Sequence, residues 1–297
     1  MAALELATGP VTWGVDFADA AANPPWSLVL DDIAASGIGA LELGPVGYLP
    51  EDPWRLRAVL RERGLTAVGS FVFEDFHAPA QAEAIAAVTL RACRAIAAAR
   101  GAVLVLIDRP GAERAATAGR SAAARRLAGA EWASMIDGLR RAAAIANDHG
   151  LRPVVHPHAG SFIEFEDEVR RLLDEPDLDL CLDTGHAAYA GTAPERLVAE
   201  YGPRLGHLHL KDVRADVLAR VRDEGVDFWA AIAAGVFCPL GRGVVDLPAV
   251  LAALAEAGYR GYATIEQDRV AGSGSPLDDL ADSQRVLAAA GLAEAAR

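Results

Sequence analysis

The 297-residue chain is 52% hydrophobic, enough for a large core, and its net charge of −13 excludes the basic surface that a nucleic acid or an anionic membrane requires. No stretch offers about 18 uncharged apolar residues for a membrane span. Three scattered cysteines (Cys93, Cys181 and Cys238) form neither a disulfide framework nor a paired zinc motif, and the start MAALELATGP has no basic, apolar leader, so the expected compartment is the cytoplasm.

One grammar recurs along the chain: an alanine-rich amphipathic helix, a Gly, Pro or Asp turn, then a short apolar strand ending in a polar residue. VTWGVDF is read as the first strand and carries Trp13. The next strands end at Glu42, at Glu74 in SFVFE, and at Asp108 in VLVLID. Residues 108–130 then form a long polar connection, expected as a lid over the site. The fifth strand runs through PVVHPH to His156 and His158; the sixth, LCLD, ends at Asp183 with His186 on the loop beyond. The seventh, GHLHLKD, carries His207, His209 and Lys211. Residues 213–245 add an extra helical segment and the turn PLGRG before the last strand, ATIE, ends at Glu266.

Helix and strand alternate without hairpin signals, which implies parallel strands joined by right-handed crossovers. Eight units predict an α/β fold of one domain over residues 1–297, a (β/α)8 TIM barrel with an extended loop after strand 4 and a helical insertion after strand 7. No GxGxxG or GxxxxGK[ST] loop supports a doubly wound sheet. Functional groups of such barrels gather at the C-terminal strand ends, where the polar residues fall.

Lys211 is the single lysine among 28 Lys and Arg residues. A compact ammonium kept in an arginine-rich chain points to a chemical requirement. Strand alternation places His207, His209 and Lys211 on one face, pointing into the barrel, with Leu208 and Leu210 on the other. Taken singly, Asp183 could cap a helix, His209 fill the core and Glu266 form a rim salt bridge. Together on three neighbouring strands they make a mixed N/O ligand set suited to Mn2+ or Co2+, and also to Zn2+ or Mg2+. Trp13, Glu42 and Glu74 are expected to bind polyol hydroxyls, with the indole closing one wall.

The motifs CLDTGH, HLHLKD and TIEQD resemble the xylose-isomerase-like barrels, which include sugar isomerases, epimerases and nucleases of the endonuclease IV type. WG near residue 13, NPPW (23–26), ELGPVGYLP (42–50), HPHAGSFIE (156–164) and GVFCPLGRGVVD (235–246) most resemble the inosose (2-keto-myo-inositol) dehydratases within that superfamily. The resemblance implies a divalent metal held by a carboxylate on strand five together with Asp183, His209 and Glu266, with His186 facing substrate. Here the chain departs from the epimerase pattern: His156 stands where epimerases place a glutamate, and Glu164 or His158 are the other choices for the fourth ligand. Glu164 is otherwise expected to contact substrate.

An asymmetric site of this kind suits elimination better than epimerisation, which needs two opposing acid/base groups. A base takes the proton α to a ketone and an acid protonates the departing β-hydroxyl. The expected catalytic set is Lys211, Glu266, His186 and His158, with Glu266 or a histidine as base and Lys211 as partner of the enolate or donor to the leaving oxygen. The expected substrate is a polyol or keto-sugar. Competing readings are a ketose or keto-glycoside isomerase or epimerase, a Schiff-base lyase built on Lys211, and a non-catalytic barrel. The net charge and the lack of further histidines weigh against a nuclease. Alanine-rich helices would permit a homodimer.

Overall fold

The computed structural model describes residues 4–292, so both ends of the expected 1–297 domain lie outside the described residues. In chain order the strands are β1 (Leu4–Thr8), β2 (Ala40–Glu42), β3 (Thr66–Glu74), β4 (Val103–Asp108), β5 (Arg152–Val155), β6 (Asp179–Asp183), β7 (Leu205–Leu210), β8 (Asp212–Val213), β9 (Phe237–Cys238) and β10 (Gly261–Ile265). β1 to β7 and β10 close into a parallel barrel in which β10 lies between β7 and β1. The outward residues of these strands, among them Leu104, Leu106, Leu208 and Leu210, join the main core beneath the helices. Inward residues Phe71, Val105, Ile107, Val154 and Cys181 form a separate cluster inside the barrel.

The helices follow from the apolar spacing. In Ala82–Ala99 the buried residues Ile85, Thr89, Ala92, Cys93 and Ile96 recur at intervals of three and four, a single stripe against β3 and β4. Small alanines along that stripe let the helix lie close to the sheet.

The first strand is not the expected one. Leu4–Thr8 pairs with β2 and β10, whereas Pro10–Trp13 makes a 3-10 turn that ends at Gly14 with φ 80°. A proline cannot supply a ladder N–H, and an added Cβ at Gly14 would lie 2.5 Å from the Ala271 nitrogen, so this segment can only turn. Trp13 therefore leaves the barrel: its Nε1 donates to Asp32 Oδ2 at 2.9 Å and its ring is buried in the core.

The cover over the barrel mouth comes from the second long connection rather than from the first, the one expected as a lid. After β4, the short helix Ala112–Ala115 buries Arg114, which donates to both Glu168 oxygens at 2.7 and 3.0 Å and to the Arg125 carbonyl. Guanidinium and carboxylate satisfy one another in a bidentate pair, so this segment is a fixed buttress rather than a lid. After β7, the helices Ala215–Glu224 and Phe228–Ala233 and the antiparallel pair β8–β9 pack on it through Val217, Leu218, Phe228 and Ile232 against Ala115 and Ala118. Asp212 ties this cover to the PLGRG turn, accepting from the N–H groups of Gly241, Gly243 and Val245. A Cβ at position 243 would collide with its Oδ1, which explains the second glycine. Among the described residues no helix is long and apolar enough to cross a membrane.

Candidate metal centre and active site

Each polar residue expected at a strand end lies at one. Glu42, Glu74 and Asp183 close β2, β3 and β6; His156, Lys211 and Glu266 directly follow β5, β7 and β10. His156, Asp183 and His209 bring one donor atom each to within 4.8 Å of one another. His209 Nδ1 is 3.7 Å from Asp183 Oδ2 and 3.2 Å from Glu266 Oε2, and His156 Nε2 is 3.6 Å from Asp183 Oδ2. All four residues are buried.

Their second-sphere contacts set which lone pairs face inward. Glu42 Oε1 accepts from His207 Nε2 at 2.8 Å, His209 Nε2 at 3.0 Å and Thr264 Oγ1 at 2.8 Å. That contact turns His209 Nδ1 towards the cluster, where it has no hydrogen-bond partner. Burial would raise the Glu42 pKa, but the adjacent His209 and His207 hold it well below the usual carboxylate range. Burial likewise disfavours charge on Asp183, yet Lys211, His186 and His156 keep it ionised. Asp183 Oδ1 accepts the His186 N–H at 2.9 Å and so caps the helix Thr184–Ala190; its Oδ2, free of hydrogen bonds, faces the cluster. The cap through Oδ1 leaves Oδ2 available for the expected ligand role, and His186 rides on a helix rather than a loop. Removing the Glu42 charge with Glu42→Gln should weaken divalent-metal affinity by about 10–100-fold with the fold retained, as measured by competition with a metal-sensitive dye.

Lys211 is fully buried beside this set. Its Nζ lies 2.8 Å from Asp268 Oδ1, 3.1 Å from Asp183 Oδ2, 3.2 Å from Glu266 Oε2 and 3.2 Å from His186 Nε2. Desolvation opposes the ammonium, but the Asp183, Asp268 and Glu266 carboxylates raise its pKa well above the ordinary lysine value. A lysine held protonated in this way is not poised as the amine nucleophile of a Schiff-base lyase. The stem passes over Gly185, where an added Cβ would lie 2.6 Å from Lys211 Cγ.

Two imidazoles complete the inner wall. His158 Nδ1 donates to the Ala159 carbonyl at 2.9 Å, which leaves Nε2 as the basic nitrogen. Desolvation, and then His186 and His156, hold its pKa well below the ordinary value, so it is neutral. His186 stacks on it with ring centroids 3.9 Å apart, and burial and Lys211 lower its pKa as well. The cavity above is small, about 40 Å3, and is bounded by Phe71, Phe73, Phe228 and Trp229 as well as by the polar groups. It shares Asp16, Phe71 and Phe73 with an outer cleft of about 510 Å3 that holds Glu74, Arg91 and Arg109.

Of the four expected substrate contacts, Glu74 alone lines a cleft, half-exposed and 3.9 Å from Arg109. Trp13 is in the core and Glu42 is behind His209. Glu164 points away from the cavity: it accepts from Gly119 N–H at 2.6 Å and Gly160 N–H at 2.9 Å and faces Arg114 at 3.4 Å. Both of its oxygens are engaged there, one by Gly119 and the other by Gly160 and Arg114, so it does not join the His156–Asp183–His209 cluster. Sequence reading missed Asp268, although its spacing of two from Glu266 is the alternation that joins His209 to Lys211. It also missed Asp16 and the aromatic cover, which no motif marks.

Burial pushes the Glu164 carboxyl up to about 7, against the opposing pull of the Gly119 and Gly160 N–H groups and Arg114. With a folded pKa above the unfolded one, its favourable contribution is complete at low pH and is lost as pH rises through about 7. Glu164→Gln mimics the protonated acid. Between pH 5 and pH 8, unfolding in urea should shift in favour of the variant relative to wild type by about 2 kcal/mol.

The family described as xylose isomerase-like TIM barrel matches residues 30–290, and the chain belongs to it. Within that class, the inosose dehydratase of Geobacillus kaustophilus (strain HTA426) is 34% identical over 247 residues, covering 81% of this chain and 79% of the relative. The probable 3-DHS dehydratase AsbF from Bacillus anthracis shares the fold with a TM-score of 0.72 at 15% identity, over 96% of this chain and 99% of that one. The IOLI protein, solved with a zinc atom bound, superposes with a TM-score of 0.71 at 14% identity, over 97% and 98% of the two chains. For this chain the donor atoms fit a divalent ion on their own chemistry. Asp183 Oδ2 and His209 Nδ1 are buried without hydrogen-bond partners, which buried polar atoms rarely are, and His156 turns Nε2 to 3.6 Å from that same oxygen.

Proposed function

We propose that the chain is a metal-dependent dehydratase that eliminates water from a cyclic polyhydroxy ketone such as 2-keto-myo-inositol. The observation that carries this reading is the convergence of donor atoms of His156, Asp183 and His209 within 4.8 Å of one another, with Glu266 Oε2 3.2 Å from His209 Nδ1, beside a buried ammonium and a neutral imidazole. The 34% identity to an inosose dehydratase over 81% of the chain supports the substrate class. Those four residues would hold the ion, and their mixed N/O character suits Mn2+, Co2+ or Zn2+. When bound, such an ion supplies Lewis acidity that polarises the ketone and makes its α-proton more acidic.

The chain's own residues divide the remaining work. His158 Nε2, unprotonated and fixed in tautomer, takes the proton α to the ketone; the C–H electron pair becomes the new C=C bond as the β C–O bond breaks. Lys211 stabilises the negative charge that develops. Its raised pKa makes it a poor proton donor, so of its two expected roles the electrostatic one fits. The leaving hydroxide needs a proton to depart as water. Asp16 lines the cavity and, through burial and then its neighbour Asp268, is pushed up to about 7, so it can carry that proton near neutral pH. Phe73, Phe228 and Trp229 present apolar faces to the C–H face of a ring and exclude water. Three buried free thiols fit a reducing cytoplasm.

Incubating the metal-loaded protein with 2-keto-myo-inositol in D2O tests the reading. The expected product is lighter by one water. A product of unchanged composition that has taken up solvent deuterium would make the protein an epimerase instead, and absence of turnover across a panel of cyclic keto-polyols would overturn the substrate class.

A further inference from the structure

A second group of donors lies on the far side of Lys211. His158, His186 and Asp268 each bring one ligand atom to within 4.8 Å of the others, all three are buried, and Asp268 Oδ2 has no hydrogen-bond partner. Lys211 Nζ stands between the two groups, touching Asp183 and Glu266 on one side and Asp268 and His186 on the other. A side chain is fixed there by more than charge. Thr184 Oγ1 accepts the Lys211 N–H at 2.9 Å and donates to its carbonyl at 2.7 Å, and the Phe237 ring lies 5.2 Å from Nζ.

We infer that the Lys211 ammonium is a built-in second cation: it takes the place that a second divalent ion would occupy and keeps the centre mononuclear. The three carboxylates that touch Lys211 Nζ are matched in charge by that arrangement. Asp183, Glu266 and Asp268 contribute three negative charges; one divalent ion and one ammonium contribute three positive ones. Buried charge without compensation is costly, so the wild-type centre has no use for a further dication. Truncating the lysine removes one positive charge and opens space between His158, His186, Asp268, Asp183 and Glu266. Carboxylate and imidazole donors at such spacing are what a borderline divalent metal binds, and two-metal centres commonly share bridging carboxylates. The asymmetry is functional as well: an ammonium cannot exchange with solvent or be chelated away, so one of the two positive charges facing the developing enolate is permanent.

The inference rests on the first site binding a divalent ion, and the experiment separates the two. Wild type, Lys211→Ala and Lys211→Ser are saturated with Mn2+, freed of excess ion, and assayed for metal content and by electron paramagnetic resonance. Wild type should hold one ion with an isolated-ion spectrum, and both variants two, with the multiline spectrum of an exchange-coupled pair. Adding Asp268→Ala to Lys211→Ala should return the count to one. Wild type with no ion would defeat the metal reading itself. One ion in wild type and one in folded variants would overturn this inference alone, and so would two ions in wild type, a result that needs no variant to fold.

Discussion

Asp183→Asn should abolish retained divalent metal and lower turnover by about 10^3-fold or more, while leaving the secondary structure close to wild type. The separation is possible because the two carboxylate oxygens do different things. Oδ1 accepts the His186 N–H and caps the helix Thr184–Ala190, a role asparagine fills equally well. Oδ2 faces His156, His209 and Lys211, and there the substitution replaces an anionic acceptor by a neutral amide. Elemental analysis together with circular dichroism and a turnover assay would check it. Full metal retention at wild-type rate in this variant would remove Asp183 from the centre.

Lys211→Met has the second large effect, and it falls on stability first. In the metal-free protein the change leaves Asp183, Glu266 and Asp268 buried around an apolar group, and breaking a buried ion pair from one side costs about 3–5 kcal/mol. Turnover of the metal-loaded variant should fall by about 10^2–10^3-fold through loss of the charge that faces the developing enolate. Urea unfolding with and without Mn2+ is the measurement: added metal should recover more stability in the variant than in wild type, because it supplies the missing positive charge. Equal unfolding free energies for the two metal-free proteins would show that the ammonium is not what holds these carboxylates together. Arginine is not a substitute either. A planar guanidinium cannot reproduce the four contacts that the compact Nζ makes to Asp183, Glu266, Asp268 and His186.

Much of the barrel was legible because strand and helix periodicities differ and the polar strand ends mark one rim. His207, His209 and Lys211 were correctly placed on one face by alternation alone, with Leu208 and Leu210 outward in the core. The first strand misled because VTWGVDF has strand-like composition; the proline just before it and the close approach of Ala271 to Gly14 forced a turn. Glu164 misled for another reason. Its neighbours Gly119 and Arg114 lie 45 and 50 residues away in the segment expected as a lid, and contacts so distant along the chain leave no local signature. The cover over the site was assigned to the polar segment after β4, whereas the rings that reach the cavity come from Phe228 and Trp229 after β7.

The sequence by itself determined the barrel and the rim on which Asp183, His209 and Glu266 come together, because each depends on local period and on the order of strands. It also marked the lone lysine. Which oxygen of Asp183 is free, which nitrogen of His209 faces inward, why Glu42 serves the histidines, and how Lys211 comes to lie between two groups of donors were decided by tertiary structure alone. Those properties depend on contacts such as that between Glu42 and His209, made between non-adjacent strands across a closed barrel. Closure brings together residues whose separation along the chain carries no trace of their meeting.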